Sequence, residues 1–112
     1  MQEKIYLLHI FDEIKKIGLS IEGMSKSEFE RNSDIQDATL RRIEVIGEAV
    51  KNIPTSFKNK HPKIAWKKIA GTRDVLIHAY FSVDLNLIWG IVKDDLPVLK
   101  KQIEEILSEE NS

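Results

Sequence analysis

Apolar residues in this chain recur three and four positions apart along nearly all of its 112 residues, and no strand-like alternation competes. That spacing is the period of a helix, so the chain predicts an all-α fold, an antiparallel helical bundle. Ile5, Leu7, Leu8, Ile10, Phe11, Ile14 and Ile17 form the first wide stripe, bracketed at its end by Gly18 and Gly23. Ser25 to Arg31 has room for one short helical piece. Ser33 or Asp34 offers an N-cap for a long helix to about Ile53. Ile35, Ala38, Arg42, Ile46, Ala49 and Ile53 line one side of it, widened by Leu40, Ile43 and Val50. Gly47 lies inside that helix at a cost of about 1 kcal/mol against Ala, which a close helix–helix approach would justify.

Pro54 ends the long helix, and Thr55 to Pro62 reads as a polar connection with room for one short turn. Trp66 and Ile69 open a further helical stretch that Gly71 is expected to interrupt, followed by a helix from Thr72 to about Tyr80. Ser82 or Asp84 can cap the next helix, with Leu85, Ile88, Trp89 and Val92 on its apolar face. Asp94 or Asp95 is expected to cap the last helix, with Pro97 in its first turn and a stripe of Leu96, Leu99, Ile103, Ile106 and Leu107. Trp66 and Trp89 are expected in the core. The length fits one domain over 1–112 with a modest core, so self-association is a reasonable way to bury more. No stretch approaches the roughly 20 apolar residues that span a bilayer. The first ten residues lack a signal-peptide pattern, so a soluble, cytoplasmic protein is expected.

The charge is unevenly placed. From Ala49 to Arg73 there is no Asp or Glu, but there are Lys51, Lys58, Lys60, Lys63, Lys67, Lys68 and Arg73. The remaining basic residues face all 18 acidic ones, and the formal net charge is only −1. Nucleic-acid affinity depends on local phosphate neutralisation, so a basic window matters even in a near-neutral chain. Such a window can also be a solvated surface, or can meet an acidic protein partner. For RNA, Lys63, Lys67 and Lys68 are the candidates beside the motif described next.

Cysteine is absent, which excludes disulfides and thiolate metal sites. His9, His61 and His78 do not match a zinc spacing, and no Gly-rich phosphate loop appears, so no metal or cofactor is expected. The chemistry left is concentrated in Arg73-Asp74-Val75-Leu76-Ile77-His78-Ala79-Tyr80. A neutral imidazole can take the proton of a ribose 2′-hydroxyl. A guanidinium can stabilise charge on phosphate oxygens, and an acid near the imidazole can hold its tautomer. On a helix, Asp74 and His78 lie within about 40° of each other and Arg73 and Tyr80 within about 20°, but Arg73 and His78 are about 140° apart. Either the helix loosens before His78, or a second copy of the chain brings the two groups together. Each residue also has a plainer role: His78 as a packed, hydrogen-bonded side chain, Arg73 and Asp74 as helix-end charges, Tyr80 as half-buried core, Glu44 and Glu48 as a solvated helix face.

Arg73, four residues, His78, one residue and Tyr80 resembles the motif of HEPN ribonucleases of the HepT type, with the expected acid present as Asp74. The flanking text fits as well: "EGMSKSEFE" at Glu22 to Glu30, "RRIEVIGEAVKNIP" at Arg41 to Pro54, "AWKKIAGTRDVLIHAYFSVDLNLIW" at Ala65 to Trp89, and "DDLPVLKKQIEEIL" at Asp94 to Leu107. The resemblance implies a HEPN-like homodimer joined through the motif face. It further implies a toxin of a toxin–antitoxin pair that cleaves RNA without metal through Arg73 and His78. The implied partner is an MntA-like minimal nucleotidyltransferase antitoxin that places AMP on Tyr80, setting bulk and negative charge beside Arg73. The alternatives are a non-catalytic HEPN module that binds a nucleotidyltransferase, and a plain dimeric scaffold.

Overall fold

The computed structural model describes residues 2–78 and 84–110, with the backbone alone described at 73–78 and 110. Every regular element among the described residues is helical: α1 (Glu3–Ser20), α2 (Lys26–Glu30), α3 (Ser33–Asn52), α4 (Thr55–Lys60), α5 (Trp66–His78), α6 (Leu85–Gly90), a π-helical turn (Ile91–Asp95) and α7 (Leu96–Glu110). The fold class is all-α, as the apolar spacing predicts. Among the described residues, no helix is long and apolar enough to cross a membrane.

The apolar stripes become the core. In α1, Leu7, Ile10, Ile14 and Ile17 are buried at spacings of three and four. They meet Ile43, Ile46, Ala49 and Val50 of α3 and Leu99, Ile103 and Ile106 of α7 in one cluster. Each such side chain contributes about 1.5–3 kcal/mol on leaving water. The central element is α3, which packs against both α1 and α5, while α7 closes on α1. Gly47 is among its buried residues. Arg42 on α3 reaches Glu13 on α1 at 3.0 Å, a partly buried ion pair across that seam.

The helix ends show why the chain turns where it does. Ser25 and Glu28 form a reciprocal capping box at α2. The backbone N–H and hydroxyl of Ser25 hold the Glu28 carboxyl below its ordinary value. The Gln36 amide donates to the carbonyls of Phe29 and Glu30 and so fixes the elbow between α2 and α3. Gly23, at φ 75°, supplies the left-handed residue in the turn after α1.

Several boundaries differ from expectation. The cap of α3 is Asn32, whose Oδ1 accepts from the Ile35 N–H at 3.0 Å, and Ser33 is already helical. Gly18 lies within α1 rather than ending it, and residues 55–60 make a helix rather than a loose connection. Gly71 does not interrupt α5. Asp84 caps α6, as one of the two expected residues, accepting from Asn86 and Leu87. Neither Asp94 nor Asp95 starts a new helix, because the chain continues from α6 through the π-turn into α7. Pro97 explains this: it has no N–H for the carbonyl one turn before it, and its ring would crowd that carbonyl. A wider turn accommodates both defects without breaking the rod. Trp89 is partly buried against the core rather than enclosed in it, with its ring 5.3 Å from that of Phe29.

Candidate active site and RNA interface

Helix α5 is fixed at its start by an aromatic anchor. The Trp66 indole N–H donates to the His61 carbonyl at 3.0 Å, and its ring meets Phe57 edge-on at 6.5 Å. Phe57 in turn packs on the His61 ring at 4.7 Å. His61 is therefore a packing residue of the α4–α5 corner. The Gln102 amide donates to the Lys63 carbonyl at 3.2 Å and ties the same connection to α7. The Thr72 hydroxyl returns to the Lys68 carbonyl at 2.8 Å, inside the helix.

From that anchor α5 runs unbroken to His78. Arg73, Asp74 and His78 occupy its last two turns, and Tyr80 lies outside the described residues. The continuous helix sets their register. Arg73 and His78 are about 7.5 Å apart along the axis and about 140° around it. Lys67, Gly71, Asp74 and His78 follow one another at spacings of four, three and four, so one face of α5 carries them all.

The three candidate lysines have different surroundings. Lys68 is 3.6 Å from Asp95, an exposed ion pair. Lys63 borders a groove that also contains Glu105 and Glu109. Lys67 borders a second groove with Lys58, Asn59 and Thr55, over a floor of Ile64 and Trp66, whose lining holds no carboxylate. Lys58 and Asn59 were not singled out by the sequence reading, although the acid-free window contains both. Elsewhere, Glu44 and Glu48 line a shallow groove with Tyr6, His9 and Arg41 between α1 and α3, where Glu48 is exposed and Glu44 half-buried.

An all-helical HEPN-type domain bearing an Arg-x4-His-x-Tyr segment is the class that fold and sequence define. The family model described as "Ribonuclease HepT-like" matches residues 10–106, a span that contains the whole motif. The chain belongs to the HepT-like ribonuclease family. It is 46% identical over 106 residues to a Methanocaldococcus jannaschii protein named as a gamma-glutamylcyclotransferase with a provisional RNase, covering 95% of this chain but 48% of that protein. A Caldanaerobacter subterraneus protein with a provisional RNase name is 44% identical over 105 residues, 94% of each chain. The Thermococcus cleftensis protein named probable ribonuclease HepT is 43% identical over 103 residues, 92% of this chain and 94% of that one. No solved structure matches the chain.

Proposed function

We propose that this protein is a metal-independent endoribonuclease and the toxin of a toxin–antitoxin pair acting in the cytoplasm. The observation that carries the proposal is the Arg73, His78, Tyr80 spacing within the segment matched by the HepT-like ribonuclease model. In this reading the neutral His78 imidazole takes the proton of a ribose 2′-hydroxyl. The 2′-oxygen attacks the adjacent phosphorus, and the bond to the 5′-oxygen breaks. The products are a 2′,3′-cyclic phosphate and a 5′-hydroxyl that picks up a proton. Arg73 stabilises the added charge on the phosphate oxygens, and Asp74, one turn before His78, orients the imidazole.

The regular course of α5 supports a homodimer in this mechanism. A helix that does not loosen keeps Arg73 and His78 of one copy on different faces. A second motif placed across a cleft supplies the missing group. Purified protein is therefore expected to degrade RNA in EDTA, with His78→Ala lowering the rate by about 10²–10⁴-fold. Undiminished cleavage by that variant removes His78 from catalysis. Tight binding of a nucleotidyltransferase with no RNA loss at all would instead favour the non-catalytic module.

Silencing by a minimal nucleotidyltransferase belongs to the same proposal. Transfer of AMP from ATP to the Tyr80 oxygen, with release of pyrophosphate, places a phosphodiester charge near Arg73. Mass spectrometry after incubation with the cognate enzyme and ATP is expected to find one or more adenylyl groups on the peptide containing Tyr80. An unmodified peptide, alongside a partner shown to be active, would reject this part.

A further inference from the structure

We infer that the groove between α4 and the start of α5 is a second RNA-backbone subsite, which holds two phosphates distant from the one being cut. The inference rests on the ribonuclease reading above and deepens it by assigning where the substrate strand is gripped. The groove has a volume of about 390 Å³, with Lys58 and Lys67 at its rim and Ile64 and Trp66 beneath. Among the described residues, neither lysine is in an ion pair. Thr55 and Asn59 add neutral hydrogen-bonding groups suited to phosphate and ribose oxygens. The floor is preformed, because the indole is already held by His61 and Phe57.

Three other grooves with basic residues lack this character, and the one beside Lys15 and Lys100 includes Glu22. The one beside Lys60 and Lys63 includes Glu105 and Glu109, and the one beside Arg41 includes Glu44 and Glu48. Carboxylates in the lining repel a polyanion, so charge selects the α4–α5 groove. Its position selects RNA further. Lys67 and His78 are eleven residues apart on one continuous helix, about 20° around and about 16 Å along it. A strand lying on that face would cross the distance in a few phosphates.

The test uses the full chain carrying His78→Ala, so that RNA persists, and measures binding of fluorescent single-stranded RNA by anisotropy. Lys58→Gln with Lys67→Gln is expected to weaken a twelve-nucleotide RNA more than tenfold at about 0.1 M salt. It is also expected to lower the slope of log K against log salt by about 1.4, the effect of two lost phosphate contacts. A three-nucleotide RNA is expected to be unaffected. Lys58→Arg with Lys67→Arg, which keeps both charges, is expected to restore binding and shows that loss of fold is not the cause.

An equal loss from Lys60→Gln with Lys63→Gln would mean a diffuse basic field and would overturn the subsite. Unchanged RNA affinity in the Lys58 and Lys67 variant would also overturn it, and weakened nucleotidyltransferase binding in that same case would reassign the groove to a protein partner. The two readings separate cleanly. RNA cut by wild type with lysine-independent binding removes only the subsite, while lysine-dependent binding without cleavage by wild type removes only the nuclease.

Discussion

The two sides of α3 are built differently. Toward α1 and α7 the packing is apolar and closed: Leu7, Ile10, Val50 and Ile103 are fully buried, and the charges that cross the seam are matched, as Arg42 is by Glu13. Toward α4 and the start of α5, the buried apolar residues among the described ones are Phe57, Ile64 and Trp66. Around them Lys58, Lys60, Lys63 and Lys67 are in no ion pair among the described residues. Clustered like charges do nothing for folding, since they repel one another in the compact state. The closed seam therefore joins α1, α3 and α7, and the α4–α5 corner anchors the start of α5 beside these unpaired lysines.

The strongest way to break that comparison is to damage the closed side. Ile46 is 1% exposed, in the middle of α3. Ile46→Ala removes buried methyl groups and leaves a cavity, and is expected to destabilise the protein by about 2–5 kcal/mol. Urea unfolding followed by helical circular dichroism reads this as a lower midpoint at unchanged slope. RNA binding is expected to disappear in the same transition, because α5 depends on α3 for its support. If binding through the α4–α5 corner outlasts loss of the bundle, the two sides are separate folding units and the division of labour described above is wrong.

Much of this division was legible in the sequence, for identifiable reasons. The stripes of α1, α3 and α7 were readable because burial on one face forces a period near 3.6. The acid-free window was readable because charge is a property of residues before it is one of surfaces. Boundaries were harder. Ser33 and Asp34 are good caps by type, yet Asn32 takes the role because the Gln36 amide fixes the elbow one residue earlier. Thr39 is polar by composition but 1% exposed in the core, a placement that only the tertiary packing decides. Pro97 does lie in the first turn of α7, as its spacing predicts, but spacing alone does not distinguish a newly capped helix from one that runs on through a widened turn. Likewise the acid-free window could not separate Lys67 from Lys63 and Lys68. Their difference comes from Glu105, Glu109 and Asp95 on elements remote in sequence. The motif itself was legible from spacing and family resemblance, whereas the groove of Lys58 and Asn59 needed three dimensions.

Gly71 provides a smaller and sharper test of the open side. A glycine there reads as a helix interruption from sequence, yet α5 passes through it, and a Cβ built at that position meets nothing within 4 Å. Gly71→Ala should then reduce the freedom of the unfolded chain without a clash, stabilising the protein by about 0.5–1 kcal/mol. That is a rise of a few degrees in thermal midpoint for a domain of this size. By register, position 71 lies on the face shared by Lys67, Asp74 and His78, so the same variant also probes what approaches that face. A higher midpoint with unchanged RNA cleavage means the strand passes at side-chain distance. A higher midpoint with weakened cleavage means something comes close enough to the backbone to feel one methyl group. A lower midpoint would show that α5 is not the continuous helix on which the positions of Arg73 and His78 have been argued, and it would put the registration of the basic groove with the motif in doubt.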